Sequence, residues 1–357
     1  NGIKKLRELI LELAVRGKLV PQEPSDEPAS ELLNNIAKEK ALLIENKTIR
    51  KGKPLPGIEQ DEMQFKLPIG WEWVRLGQIG DWGAGATPAR GNSRYYDGEM
   101  PWFKSGELIA DFISDSEESV TELALKECSL RRNKPGDVLI AIYGATIGKT
   151  AILSVEGTTN QAVCACTPFN GVFNRYLLLT LKALKSNFIG QGAGGAQPNI
   201  SREKIVATVT GLPPLAEQHR IVAKVDELMA LCDRLEAQQT DAESAHAQLV
   251  QALLDSLTQA SDATDVAANW QRLAEHFHTL FTTEPSIDAL KQTLLQLAVM
   301  GKLVPQDPSD EPAGELLKRI AEEKALLVAE GKIRKTKQLP EITDEERSFA
   351  PPNGWEF

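Results

Sequence analysis

Two stretches of this chain repeat each other at a fixed distance. Gly17-Lys18-Leu19-Val20-Pro21-Gln22 returns as Gly301-Lys302-Leu303-Val304-Pro305-Gln306, 284 positions later. The same offset carries Pro24–Ala29 onto Pro308–Ala313, Glu39–Leu43 onto Glu323–Leu327, and Gly70-Trp71-Glu72 onto Gly354-Trp355-Glu356. No insertion is needed anywhere in the match. Copies so far apart are not a stacked solenoid, whose period is tens of residues. They are a duplicated module with other material between them, and the second copy stops where the first runs into Val74-Arg75-Leu76-Gly77. The start at Asn1 and this stop point to a trimmed or half-length chain.

Each copy reads as two helices. Leu6, Leu9, Ile10, Leu13 and Ala14 recur at spacings of three and four, and Gly17 with Pro21 ends the run. A second helix starts near Pro24–Pro28, capped by Ser25 or Asp26, with Leu32, Leu33, Ile36, Leu43 and Ile44 as its apolar face. The basic stretch Lys47–Lys53 that follows suits either a phosphate contact or a solvated connector.

Between the copies the character changes. Asp137–Tyr143, Thr150–Val155 and Gln161–Thr167 are strand-like runs bounded by turn residues, and Asn174–Lys185 reads as a helix with Tyr176, Leu177, Leu181 and Leu184 inward. From Pro214 the pattern turns helical again. Ile221, Leu228, Leu235, Ala242 and Leu249 recur every seven residues, with Leu231, Gln238, Ala245 and Ala252 on the companion seam. The expected class is α+β: a mixed central domain flanked by helical regions, with one long coiled-coil spacer helix. Domains are expected at 1–70, 71–213, 214–260, 261–285 and 286–357, the fourth being a helical linker.

Several function classes fall away. No apolar run approaches the ~20 residues of a membrane span. None of the four cysteines forms a Cys-x-x-Cys pair, so Cys164 and Cys166 read as reduced core thiols on one face of a strand in a cytoplasmic protein. His276 and His278 lack zinc-finger partners, and no metal site is expected. Gly144-Ala145-Thr146-Ile147-Gly148-Lys149-Thr150 imitates a phosphate loop, but only three residues separate its glycines and a strand-like run follows. It reads instead as a tight hairpin with a basic tip. The only Pro-Pro pairs, Pro213-Pro214 and Pro351-Pro352, lack the acidic or amide residue and the aromatic of a base-flipping methyltransferase turn. No catalytic residue is assigned. Net charge is −10, against an indiscriminate polyanion binder, yet residues 71–211 hold 14 Lys+Arg and 14 Asp+Glu and are neutral.

Two loops have the chemistry of a reader of bases. Gly190–Asn199 combines glycines with Gln191, Gln197 and Asn199, amides able to bond adenine bidentately, a composition that equally suits a flexible polar loop. Thr87–Tyr96 mixes Arg90 and Arg94 with Tyr95 and Tyr96, suited to phosphate and base contact, although either tyrosine also suits a core.

Trp73–Gly77, Gly85–Pro88 and Met100–Trp102, then Gly136–Ile140, Gly144–Thr150 and Asn160–Val163, then Gln197–Ser201 and Leu212–Val222 follow one another in an order that resembles the specificity subunits of type I restriction–modification enzymes. The resemblance covers essentially the whole chain. It implies a target-recognition domain that reads half of a split double-stranded DNA target. It implies docking of modification (methyltransferase) subunits and a restriction subunit, which supply S-adenosylmethionine, ATP and magnesium chemistry, with no cofactor bound by this chain. This sequence departs from the family in carrying one recognition domain rather than two. The DNA-contact candidates are Thr87, Arg90, Arg94, Tyr95, Lys104, Tyr143, Thr146, Lys149, Gln191, Gln197 and Asn199. Ile221, Leu228, Leu231, Leu235 and Leu249 are the candidates for self-dimerisation through the spacer. A helical scaffold that binds protein rather than DNA, or the specificity subunit of a related methyltransferase–nuclease, stays open as an alternative.

Overall fold

The apolar runs of the central segment become the middle of a sheet that is buried on both faces. A computed structural model describes residues 2–192, 198–260, 263–335, 337, 340, 342–343, 345–347 and 349–357. The chain forms two compact units, Asn1–Glu236 and Ala237–Phe357.

The first unit opens with α1 (Gly2–Val15) and α2 (Ala29–Glu45), followed by an irregular stretch with one turn of 3-10 helix at Gln60–Glu62. The strands are β1 (Glu72–Arg75), β2 (Gly80–Ala84), β3 (Tyr96–Phe103), β4 (Phe112–Ile113) and β5 (Ser119–Val120). Helix α3 (Glu122–Glu127) precedes β6 (Val138–Ala141), β7 (Thr150–Leu153), β8 (Thr158–Thr159) and β9 (Val163–Pro168). Then come α4 (Asn174–Ala183), α5 (Lys185–Gly192), α6 (Arg202–Ala207), β10 (Val209–Leu212) and the 44-residue α7 (Leu215–Thr258).

Five strands lie in the order β2-β9-β6-β7-β4, with β4 parallel to β7 and the other pairs antiparallel. Alternation splits their side chains between two cores. Val138, Ile140, Ile152, Cys164 and Cys166 face a large core shared with Tyr176, Leu177 and Leu181 of α4. Leu139, Ala141, Ala151, Leu153, Val163 and Ala165 face a second, with Phe103, Leu108 and Ile113. Both cysteines are therefore on one face, as their spacing requires, and burial pushes the Cys164 thiol up to about 12. A three-stranded sheet, β5-β3-β8, stands on the second side around Trp102 and Val120. A two-stranded ribbon, β1-β10, joins the start of the domain to its end.

The helical module packs onto this domain. Of the expected faces, Ile10, Ala14, Leu32 and Ile36 are buried, while Leu6 and Leu9 are exposed. The second helix begins at Ala29 behind Pro28 rather than at a Ser25 or Asp26 cap; Asp26 instead pairs with Arg220 at 2.6 Å. Lys47, Arg50, Lys51 and Lys53 are exposed, as in a solvated connector. Just beyond, buried Arg75 bonds Glu62 through both guanidinium ends, at 2.9 and 2.7 Å, and Pro56 O at 2.9 Å.

Within α7 the expected seven-residue seam is divided. Ile221 is fully buried in the large core with Val222, Val225 and Cys232, and Leu228 is half-buried against it. Leu231, Leu235 and Leu249 are 43%, 41% and 52% exposed. The first turns of the seam therefore serve the unit's own core and only its later leucines are open. A stripe of leucines reports that something covers it, not what does.

The second unit holds the end of α7, then α8 (Ala263–Glu275), α9 (Phe277–Leu280), α10 (Glu284–Val299) and α11 (Ala313–Ala329). Its core gathers Val250, Leu254, Leu257, Leu273, Leu290 and Leu297. Among the described residues no helix is long and apolar enough to cross a membrane.

Candidate nucleic-acid interface

One end of the five-stranded sheet collects loops that are far apart in sequence. β2 and β6 leave the sheet there, and β7 and β9 enter it. Backbone bonds tie the loops together: Gly85 N to Val163 O (2.9 Å), Ala86 N to Thr159 O (3.0 Å), Ile142 N to Ala162 O (2.8 Å), Ile200 N to Ile142 O (2.9 Å) and Gly144 N to Pro198 O (2.8 Å). Gly85 permits this approach, because a Cβ there would lie 2.2 Å from Asn160 O. Thr87, Tyr143, Thr146 and Asn199 converge at this end. Thr87 and Asn199 are exposed and Tyr143 is 38% exposed. The Thr87 hydroxyl donates to the side-chain carbonyl of exposed Gln161, a residue of the Asn160–Val163 stretch that is not among the contact candidates read from the sequence. Tyr143 and Asn199 face each other in an antiparallel bridge, and the Thr146 hydroxyl donates to Tyr143 O at 2.7 Å.

The expected hairpin is present, and its turn is Gly144–Thr146. The Lys149 ammonium donates to Gly106 O at 3.4 Å. Lys185, at the start of α5, lays its stem over Gly148, where a Cβ would lie 2.7 Å from Lys185 Cγ. Lys204 donates to Gln191 O at 2.9 Å, and the Gln191 amide donates to Asn187 Oδ1 at 2.5 Å. Among the described residues none of these three lysines has a carboxylate partner. Lys185 and Lys204 carry no motif signal; only the fold sets them beside the hairpin and the end of α5. Gln197 lies outside the described residues.

Arg90, Tyr95 and Lys104 belong to a second group, around the three-stranded sheet, and there the cations are already partnered. Arg90 pairs with Glu118 and lies 4.9 Å from the ring centres of Tyr96 and Trp102. Lys104 contacts Glu117 at 2.5 Å, Glu118 at 3.1 Å and Glu107 at 3.6 Å. The hydrogen bond from Arg90 first, and that from Lys104 after it, hold the Glu118 carboxyl below the usual range, while burial pushes Glu107 up. Tyr95 and Tyr96 pack against the Trp102 core; their hydroxyls donate to Glu127 (2.9 Å) and Pro88 O (2.6 Å). The core reading of these tyrosines thus describes their rings. Arg94 is exposed, and its backbone N–H donates to Asn92 Oδ1 at 3.2 Å.

This surface offers hydroxyls, amides and ammonium groups on loops rooted in a rigid sheet. Such groups bond phosphates and base edges. No group of three or more His, Cys, Asp or Glu side chains among the described residues could hold a metal ion.

Residues 68–243 match the family described as "Type I restriction modification DNA specificity domain". The chain is 47% identical over 367 residues to the specificity subunit of the type I restriction enzyme EcoAI of Escherichia coli, a match covering 100% of this chain and 61% of that protein. It is 44% identical over 374 residues to the EcoEI specificity subunit of Escherichia coli, with the same coverage of each. The chain thus spans about three fifths of the length of these relatives. A crystal structure of the HsdS subunit from Thermoanaerobacter tengcongensis aligns with 68% of this chain and 53% of its own, at 23% identity and a TM-score of 0.42.

Proposed function

This chain belongs to the type I restriction–modification specificity family, and from that premise we propose that it is a non-catalytic reader of one half of a split DNA target. The observation that carries the reading is the convergence of Thr87, Gln161, Tyr143, Thr146 and Asn199 on one end of a doubly buried sheet, with Lys149, Lys185 and Lys204 nearby. Short polar groups on a rigid base read base edges, and cations without acidic partners hold phosphates. Gln191, Gln197, Arg94 and the acid-paired Arg90 and Lys104 extend the surface.

The helical parts seat modification subunits, which carry S-adenosylmethionine and the adenine chemistry. A restriction subunit brings ATP and magnesium. Leu231, Leu235 and Leu249 form the open part of a seam through which two such chains associate.

Selection from a pool of randomised duplexes tests the reading. A short enriched motif, bound with an affinity that falls steeply with salt, is expected. Retention with no sequence preference, or none at all, refutes it.

A further inference from the structure

The loop that follows the second helix of each repeated module is strongly basic. Ile49-Arg50-Lys51-Gly52-Lys53-Pro54-Leu55-Pro56 returns as Ile333-Arg334-Lys335-Thr336-Lys337-Gln338-Leu339-Pro340, at the module's own offset. With Lys47 in the first and Lys332 in the second, residues 47–53 and 331–337 each hold four cations and no acid. Charge elsewhere on the module's surface is not kept in this way. Asn34 stands opposite Lys318, Lys38 opposite Glu322 and Lys66 opposite Ala350, all of them exposed. Exposure alone fits a connector. A connector has no use for the same four charges twice, least of all in a chain of net charge −10.

Both runs leave their helix through the same turn. Lys47 has φ +60° and Gly331 has φ +72°. Lys47 N bonds Ile44 O at 3.0 Å, and Gly331 N bonds Val328 O at 3.1 Å. A left-handed φ suits glycine and strains a lysine, so the first copy keeps its fourth cation at a backbone position that disfavours it. The first run is pinned at its two ends. Ile49 packs against the large core, Leu55 Cδ1 lies 3.0 Å from where a Cβ on Gly77 would be, and Pro56 O accepts from buried Arg75 at 2.9 Å. Lys47, Arg50, Lys51 and Lys53 are exposed, and among the described residues none has a carboxylate partner, although Glu45, Glu59 and Asp61 are close in sequence. In the second run Lys332 pairs with Glu330 at 2.7 Å, while Arg334, Lys335 and Lys337 are exposed and have no carboxylate partner among the described residues.

We infer, on the premise of the DNA reading proposed above, that the two runs are phosphate-binding arms for duplex DNA, additional to the base-reading loops. Like charges held close together repel, and the chain leaves that repulsion unrelieved by its own acids. A polyanion relieves it and releases counterions on binding. Seven extended residues span up to about 20 Å, and one strand sets its phosphates ~3.4 Å apart along the duplex axis, so each cation reaches a phosphate of its own. Phosphate contacts carry no sequence information. The arms therefore supply affinity, and the loops supply preference.

The full chain is titrated with fluorescent duplexes, one carrying the selected motif and one of random sequence, over a series of salt concentrations. Lys47→Ala, Arg50→Ala, Lys51→Ala and Lys53→Ala together should reduce the slope of log affinity against log salt by about 3 to 4 on both duplexes. Arg334→Ala, Lys335→Ala and Lys337→Ala together should reduce it by about 2 to 3. The ratio of target to random affinity should stay within about twofold, and circular dichroism should match wild type. Lys47→Arg, Lys51→Arg and Lys53→Arg together should keep the wild-type slope, as a contact made by charge requires. An unchanged slope in either alanine variant of a chain that selects a motif overturns the assignment for that run and leaves the DNA reading standing. A slope that falls on random duplex, in a chain that selects no motif, supports the arms and overturns the reading. Lost binding of a purified modification subunit, with DNA slopes unchanged, makes the runs a protein contact and overturns the arms. No binding to either duplex overturns both.

Discussion

The two tryptophans of the duplicated module should differ sharply in what they contribute to stability. Trp71 is 5% exposed, packs on Gly17 and Gly211, and donates to a glutamate that is itself buried. Truncating a buried tryptophan costs ~3–5 kcal/mol, and leaving a buried carboxylate oxygen without its donor adds ~1–3 kcal/mol. Trp71→Ala should therefore destabilise the first unit by about 4 kcal/mol or more. Trp355 packs on Gly301 as Trp71 packs on Gly17, but it is 42% exposed and bonds only Gln306 Oε1 among the described residues. Trp355→Ala should cost about 1 kcal/mol. Two units need not unfold together, so one global midpoint would blur the comparison. Native-state hydrogen exchange, followed separately in α4 and in α10, resolves it. At tenfold per ~1.4 kcal/mol, Trp71→Ala should raise exchange in α4 by about a thousandfold, and Trp355→Ala should raise it in α10 by about tenfold or less. Similar losses in both copies, or no loss at Trp71, would refute the claim that one module is covered and the other open.

The remaining expectations concern DNA, acid and association. Asn199→Ala should lower affinity for the selected motif by ~1–3 kcal/mol with little effect on random duplex; equal losses on both would remove it from the base contacts, and the same comparison applies to Arg94→Ala and Gln197→Ala. Lys149→Ala and Lys185→Ala should each reduce the slope of log affinity against log salt by about 1 on either duplex; an unchanged slope would place them off the DNA. Burial raises the Glu217 carboxyl, against the bonds from Gln22 and Trp71. The folded state thus holds that proton more tightly than the unfolded state, and the associated stability is present below the ordinary glutamate range and lost as pH rises through the raised value. Urea midpoints of wild type minus Glu217→Gln should accordingly fall as pH rises from that range, and a flat or rising difference would contradict the burial argument. Leu235→Glu combined with Leu249→Glu should leave the circular dichroism spectrum unchanged and abolish any dimer seen by sedimentation; a dimer that survives uses another surface.

Local pattern was legible where one element decides its own structure. The runs around Val138–Ala141, Thr150–Leu153 and Val163–Pro168 became strands because apolar, β-branched residues between turns can bury both faces. Pairings set by the whole fold were not legible. β1 meets β10 in register Glu72 to Leu212, and neither four-residue strand signals its partner. The Arg90–Glu118 and Lys104–Glu117 pairs span 28 and 13 positions, so the sequence presents free cations where the fold presents neutralised ones. Gln161 and Lys185 are not singled out as contact residues by the sequence and gain that meaning only from Thr87 and Gly148 beside them. Periodicity found the α7 stripe, but Ile221 and Leu228 spend it on α4 and its neighbours, since spacing along a helix is blind to which surface covers it.

Neutrality and rigidity together explain how a chain of net charge −10 can suit DNA at all. A reader that relied on a strongly basic face would bind every duplex through counterion release. Here Lys104 and Arg90 are held by Glu117 and Glu118, so a phosphate gains them only by displacing a carboxylate, and these two cations add little to the electrostatic attraction. Hydrogen bonds to base edges must then supply the preference. They are directional, and a contact displaced by about 1 Å is largely lost. The fold meets that demand by rooting the loops in β6, β7 and β9, whose side chains are almost wholly buried, while Thr87 and Asn199 are exposed. Substitution at an exposed loop position changes stability by ~0.5 kcal/mol or less, so the surface can acquire new base contacts without loosening the sheet that aims them.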